Sequence, residues 1–249
     1  MNGAHISSTT AGTTRKPVLS VRGLSKTFTL HTQGGTTIEA FSALDLDLRE
    51  GECLALHGPS GAGKSTLLRS LYANYKPCAG SILVNHGAFR VDMATASPRT
   101  VLSVRHSTMG YVSQFLRVIP RVSSLDIVAE RLTVHGEDEK SAREKAGELL
   151  ARLRIPKRLW SIAPATFSGG EQQRVNIARG FIHRYPIMLL DEPTASLDAA
   201  NRKTVVALIE EAKAAGTAIV GIFHDEGVRD AVADRVYELR PLDARPDNA

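Results

Sequence analysis

Three short runs in this chain, at residues 53–56, 187–190 and 218–223, are apolar throughout and show no alternation with polar residues. Such runs suit strands buried on both faces at the centre of a parallel sheet. Helix-forming stretches accompany them at 66–72 and at 201–213, the latter closed by Gly216. From 18 to 91, short alternating apolar runs punctuated by glycine predict strands, several of them forming an antiparallel layer. Within that layer HTQGGTTIEA, residues 31–40, reads as a hairpin excursion. Between 114 and 165 the pattern turns helical, most clearly at 125–132 and 142–153. The expected fold is α/β: a parallel core sheet, an antiparallel β layer and a helical subdomain at about residues 115–165. One domain should span 17–240. Residues 1–16, rich in Ser, Thr, Gly and Ala, predict a disordered tail, and 241–249 a flexible C-terminus.

The polar segments that follow the apolar runs carry the chemistry. GPSGAGKST, residues 58–66, lies between a predicted strand and a predicted helix, the setting of a phosphate-binding loop. Gly58, Gly61 and Gly63, with Pro59, Ser60 and Ala62 between them, let consecutive backbone N–H groups turn inward around a phosphate. The helix N-terminus adds its partial positive charge. Lys64 is placed to reach the β- and γ-phosphates, the Ser65 hydroxyl is a hard oxygen donor suited to Mg²⁺, and Thr66 adds a phosphate contact. ATP and Mg²⁺ are therefore the expected ligands.

The run at 187–190 ends abruptly in Asp191 and Glu192. Open α/β sheets bind ligands at the carboxyl ends of their strands. In that position Asp191 is expected to hold the metal, directly or through water, and Glu192 to orient and polarise an attacking water.

FSGGEQQR, residues 167–174, supplies a second anion site. Ser168 followed by Glu171 is a capping box that should open a helix with Gly169 and Gly170 in its first turn. Apolar residues at Val175, Ala178 and Ile182, with Phe181 beside them, continue that helix until Pro186. One ATP does not need two helix N-termini from opposite ends of a domain. The economical reading is that this end faces the γ-phosphate held by another subunit; the alternative is a plain helix cap.

Taken in order, these motifs resemble those of the ATP-binding-cassette (ABC) ATPases, a phosphate-loop NTPase family, and the likeness runs from about residue 18 to 239. The resemblance implies a head-to-tail dimer with two sandwiched ATP molecules. It implies that Ser168, Gly169, Gly170 and Glu171 contact the partner's nucleotide and that Ser196, Leu197 and Asp198 cross the dimer interface. It makes Gln114 the residue that senses metal and attacking water, and His224 a γ-phosphate contact. Phe28, in SKTF, matches the aromatic that stacks on adenine, although an inward-facing strand residue is the competing reading. Glu171 departs from the family, which usually has Gln there.

Composition narrows the setting. A chain of 249 residues with 43% apolar content can bury a substantial core as one domain. No apolar stretch approaches the ~18 residues of a membrane span, and MNGAHISSTTAGTTRKP lacks the apolar core of a signal peptide. A cytoplasmic protein without direct membrane insertion is expected. Cys53 and Cys78 have no metal-ligand spacing. The net charge of +5 is modest and gives no ground for nucleic-acid binding.

The use made of ATP depends on the partner. RSLYANYKPCAG (69–80), SQFLRVIPRVS (113–123), RLWSIAPATFSGGEQQRVNIARGFI (158–182) and AIVGIFHDEGVRD (218–230) resemble the L-subunit family of the bacterial carbon-phosphorus lyase system. That resemblance implies an accessory ATPase in phosphonate breakdown. Its partners would be a second ABC-type subunit, K, or itself, and the core subunits G, H, I and J. It would serve the step in which methylphosphonate displaces adenine from ATP to form α-D-ribose 1-methylphosphonate 5-triphosphate. No residues here suit that displacement, which fits an accessory role. The alternative is the nucleotide-binding subunit of a transporter of the lipoprotein-release or efflux kind; a third class is a regulatory ATP clamp. Residues 115–123 mix apolar and arginine side chains as an interface would, with packing inside the helical subdomain as the other reading. Arg152, Arg154, Lys157 and Arg158 form either a docking patch for an acidic partner or a solvated helix end.

Overall fold

The structure, a computed structural model, describes residues 6–7, 16–30, 36–114, 116 and 120–240. A six-stranded sheet forms the core. Its strands are β1 (Ile6–Ser7), β4 (Cys53–His57), β7 (Met109–Val112), β8 (Ile187–Asp191), β9 (Ala218–Ile222) and β10 (Arg235–Glu238), in the order β1-β10-β4-β9-β8-β7. All neighbours are parallel except β1 and β10. The second sheet is antiparallel, from β2 (Pro17–Leu30), β3 (Thr36–Arg49), β5 (Ala79–His86) and β6 (Phe89–Asp92), in the order β3-β2-β5-β6. The two expected layers are thus both present.

Because successive strand residues point to opposite faces, the central strands sort their side chains into two apolar clusters. Cys53 and Ala55 of β4, Met188 and Leu190 of β8 and Ile219 of β9 join the cluster beneath the helical subdomain. Leu54 and Leu56, Ile187 and Leu189, and Ala218, Val220 and Ile222 join the cluster facing the antiparallel layer. This two-sided burial is why those runs lack alternation.

The helices are α1 (Lys64–Leu71), α2 (Pro98–Ser107), α3 (Ser124–Thr133), α4 (Glu139–Arg152), α5 (Gly169–Phe181), α6 (Ala199–Ala214) and α7 (Glu226–Val232). From α2 onward each is started by a short polar side chain that accepts from a backbone N–H in the first turn: Ser97, Ser123, Asp138, Ser168, Asp198 and Asp225. Helices α3 and α4 form the helical subdomain, and α5 packs against both of them and against β7, joining that subdomain to the sheet.

Some expectations need correction. Ile6 and Ser7 pair with Tyr237 and Val236, so two residues of the expected tail form a strand. Residues 1–5, 8–15 and 241–249 lie outside the described residues, as do 31–35 of the hairpin excursion and 115 and 117–119 of the expected partner surface. Within that surface Leu116 is buried. Arg152 is bridged to Glu211 of α6 at 2.5 Å, so it is engaged within its own chain.

Candidate active site

The loop after β4 needs its glycines for two reasons. Gly58, Gly61 and Gly63 have φ of 143°, 82° and 87°, a region that side chains with a Cβ rarely adopt. A Cβ on Gly58 would also lie 2.3 Å from the Leu239 carbonyl oxygen, and one on Gly63 2.5 Å from that of Ala40. Gly63 is the N-cap of α1, with no side-chain hydrogen bond at the cap. The first backbone N–H groups of α1 are therefore free of a capping side chain, as an anion site requires. Lys64 Nζ donates to the carbonyls of Gly58 and Pro59 at 2.6 and 2.8 Å, folding over the loop. Burial lowers its pKa and the nearby Glu192 carboxylate opposes that shift.

Ser65 Oγ donates to Asp191 Oδ1 at 3.0 Å, bringing α1 to the carboxyl end of β8. A hydroxyl and a carboxylate side by side are an all-oxygen donor set, which fits Mg²⁺. Asp191 is almost fully buried, and Tyr111 donates to its other oxygen at 2.8 Å.

Glu192 is one of five non-glycine residues with positive φ among the described residues, at 54°. Its N–H reaches the Ile222 carbonyl at 3.2 Å, which fixes the turn out of β8 against β9. The carboxylate is clasped on both sides: Gln114 Nε2 donates to Oε2 at 2.8 Å, and His224 Nε2 lies 2.7 Å from Oε1. The His224 side chain is itself exposed. An anchored carboxylate next to a Lys-bearing anion loop is equipped to orient a water and accept its proton.

The FSGGEQQR segment builds the expected capping box. Ser168 Oγ accepts from Glu171 N, and Glu171 Oε2 accepts from Ser168 N at 2.9 Å. The Ser168 hydroxyl, which donates to Glu171 Oε2 at 2.7 Å, and then the Ser168 N–H hold the Glu171 carboxyl below the usual carboxylate range. Ser168 and Gly169 are exposed, and the hydrogen bonds of Ser168 run to Glu171 on its own helix. Farther along α5, Gln173 donates to the Pro193 carbonyl at 3.2 Å and Asn176 to that of Ser113 at 2.6 Å. Helix α5 is thereby tied to the turn after Glu192 and to the residue before Gln114.

In the loop before α6, Ser196 and Asp198 are exposed, whereas Leu197 is buried in its own chain. Asp198 caps α6 through Asn201 N at 2.7 Å. Phe28 belongs to neither apolar cluster: it meets Tyr75 edge-to-face with centroids 5.3 Å apart, and Lys26 Nζ lies over its ring at 4.7 Å. The sequence reading missed Tyr111, Arg69 and Tyr75, for which the local sequence carries no distinguishing signal.

A family model described as ABC transporter matches residues 41–195, a span that holds the phosphate loop, Gln114, FSGGEQQR, Asp191 and Glu192. The chain belongs to the ABC transporter family. An ABC ATPase domain binds and hydrolyses ATP. This ABC chain is 39% identical over 225 residues to the lipoprotein-releasing system ATP-binding protein LolD 2 of Caulobacter vibrioides, covering 90% of this chain and 95% of that one. It is 35% identical over 215 residues to LolD of Legionella pneumophila, covering 86% and 92%. Among solved structures it resembles the ATP-binding cassette MJ0796, in a dimeric post-hydrolysis state bound to ADP and Pi. That match has a TM-score of 0.80 and 28% identity, covering 89% of this chain and 94% of that one. The two LolD relatives are named as ATP-binding proteins of a lipoprotein-releasing system, so they give no support to the expected lyase partners and favour the transporter alternative. Among the described residues, no helix is long and apolar enough to cross a membrane.

Proposed function

We propose that this chain hydrolyses ATP between two cassettes arranged head to tail and passes the closing and opening of that pair to a partner assembly. The observation that carries the reading is the Glu192 carboxylate held between Gln114 and His224, beside the phosphate loop. In this reading the backbone of residues 58–63 and α1 bind the triphosphate, while Lys64 leaves the Gly58 and Pro59 carbonyls for the β- and γ-oxygens. Ser65 and Asp191 hold Mg²⁺, which supplies charge neutralisation at those oxygens. Gln114 and Glu192 orient the water, Glu192 accepts its proton, and His224 turns its exposed ring to the γ-phosphate. Phe28 offers its ring for stacking on adenine. Ser168, Gly169, Gly170 and Glu171 offer the free end of α5 to the nucleotide of a second cassette, and Ser196 and Asp198 line the path between the two; the buried Leu197 fixes the shape of that loop. The named dimeric neighbour, bound to ADP and Pi, supports this arrangement.

For the partner, the lipoprotein-release relatives favour an integral membrane permease, which makes this chain a transport motor on the cytoplasmic face. A second reading rests on the segments at 69–80, 113–123, 158–182 and 218–230, whose resemblance to the lyase L-subunit family favours soluble lyase partners. Affinity purification of the tagged chain from its own cells, grown on a phosphonate as sole phosphorus source, separates the two. A co-purifying permease supports transport; co-purifying soluble lyase subunits support the second reading and overturn the first. ATP hydrolysis by the purified chain that Glu192→Gln leaves intact would overturn the shared account of the site.

A further inference from the structure

Asp191 is held from two directions. Ser65 reaches Oδ1 from α1, and Tyr111 reaches Oδ2 from β7, the strand beside β8. Arg69, on the last turn of α1, donates to Tyr75 at 3.2 Å, and its positive charge acts on the neighbouring Tyr111 phenol. A phenol has a single proton, and that of Tyr111 is committed to Asp191, because a carboxylate can only accept. The ring cannot swing away easily. It stacks on Tyr72 with centroids 5.0 Å apart and planes 25° from parallel, and Arg105 lies over Tyr72 at 4.4 Å while donating to the Tyr72 carbonyl.

We propose that Tyr111 is the positioning residue for Asp191: it aims the buried carboxylate at the metal that accompanies the nucleotide. The inference rests on the reading of Ser65 and Asp191 as the Mg²⁺ donors. If Ser65 turns its hydroxyl to that metal, its bond to Oδ1 is given up. Tyr111 binds the opposite oxygen, so its hold on Asp191 does not compete with the metal. Its proton also offsets part of the charge of a carboxylate with little access to solvent.

Tyr111→Phe removes the hydroxyl and keeps the ring and its stack. Binding of Mn²⁺ to the ADP-loaded protein, measured by EPR against an ADP-only reference, is expected to weaken about 10-fold. The Mg²⁺ concentration for half-maximal hydrolysis should rise by a similar factor, with kcat at saturating Mg²⁺ and the apoprotein melting temperature near wild type. Unchanged Mn²⁺ binding in Tyr111→Phe overturns the proposal, and so does a lower melting temperature with unchanged metal dependence. Wild-type protein that binds no Mn²⁺ with ADP overturns the assignment of the metal donors themselves.

Discussion

His224 Nε2 lies 2.7 Å from Oε1 of Glu192, across the turn that leaves β8. Gln114 occupies the other oxygen, and the backbone at Glu192 sits at φ 54°, a conformation that costs free energy for a residue with a Cβ. A strained, doubly clasped carboxylate is what a general base needs to be in place before the substrate arrives. Glu192→Gln keeps the shape and removes the basicity. Phosphate release should fall about 10²- to 10⁴-fold, with ATP binding unchanged. Equal turnover in the variant would show that another group accepts the proton.

Lys64 is held over the phosphate loop by the Gly58 and Pro59 carbonyls, which keeps its charge beside the loop that is expected to take the β- and γ-phosphates. Lys64→Ala should weaken ATP binding about 10- to 100-fold, the range for hydrogen bonds between charged groups. Titration with a fluorescent ATP analogue reads this directly. A variant that binds as wild type but hydrolyses slowly would move Lys64 from binding to the chemical step.

The parts of this site that were legible in the sequence are those whose chemistry is local. The glycines of the phosphate loop, the capping box at Ser168 and Glu171, and the apolar run that delivers Asp191 each act within a few residues, so spacing alone announces them. The fold layers were legible for the same reason, through runs buried on both faces. What stayed hidden depends on long-range contact. Tyr111 and Asp191 are 80 residues apart, and Gln114 and Glu192 78. Nothing in MGYV distinguishes a tyrosine that holds a carboxylate from one that fills a strand. The β1 pairing escaped notice because two residues carry too little pattern to be read as a strand. Partner identity is the least local property, and there the resemblance of segments and the named relatives point to different assemblies.

Ser168 begins α5 on an exposed surface, and among the described residues its bonds run only along its own helix, to Glu171 and Gln172. If that helix end serves the neighbouring nucleotide, a defect there must be felt in the other subunit. Pairing a Ser168→Arg chain with a Glu192→Gln chain tests this. In the head-to-tail arrangement one site of the mixed dimer is doubly damaged and the other is wholly intact, so hydrolysis should reappear when the two inactive proteins are mixed. Activity that stays at the level of the separate variants would mean that Ser168 acts on its own subunit's nucleotide.

His183, just beyond α5, makes acid stability the last test. Its ring stacks on His135 with centroids 3.6 Å apart, His135 stacks on His106 at 4.3 Å, and Tyr185 meets His183 edge-on at 4.6 Å. Burial, then the charges of His135, His106 and Arg131, lower the His183 pKa from 6.5 to about 4. Below pH 6.5 the unfolded chain takes up a proton at this residue, whereas the folded chain does so only near pH 4. The unfolded state therefore binds more protons in that window, and stability falls as the pH falls. Above pH 6.5 the contribution is complete and constant. His183→Gln stays neutral in both states, so its melting temperature should fall less steeply than that of wild type between pH 6.5 and about 4. Carboxylates such as Glu171 titrate in both proteins and cancel in the difference. Parallel melting curves for the two proteins across this range would show that the stacked histidines carry no proton-linked cost.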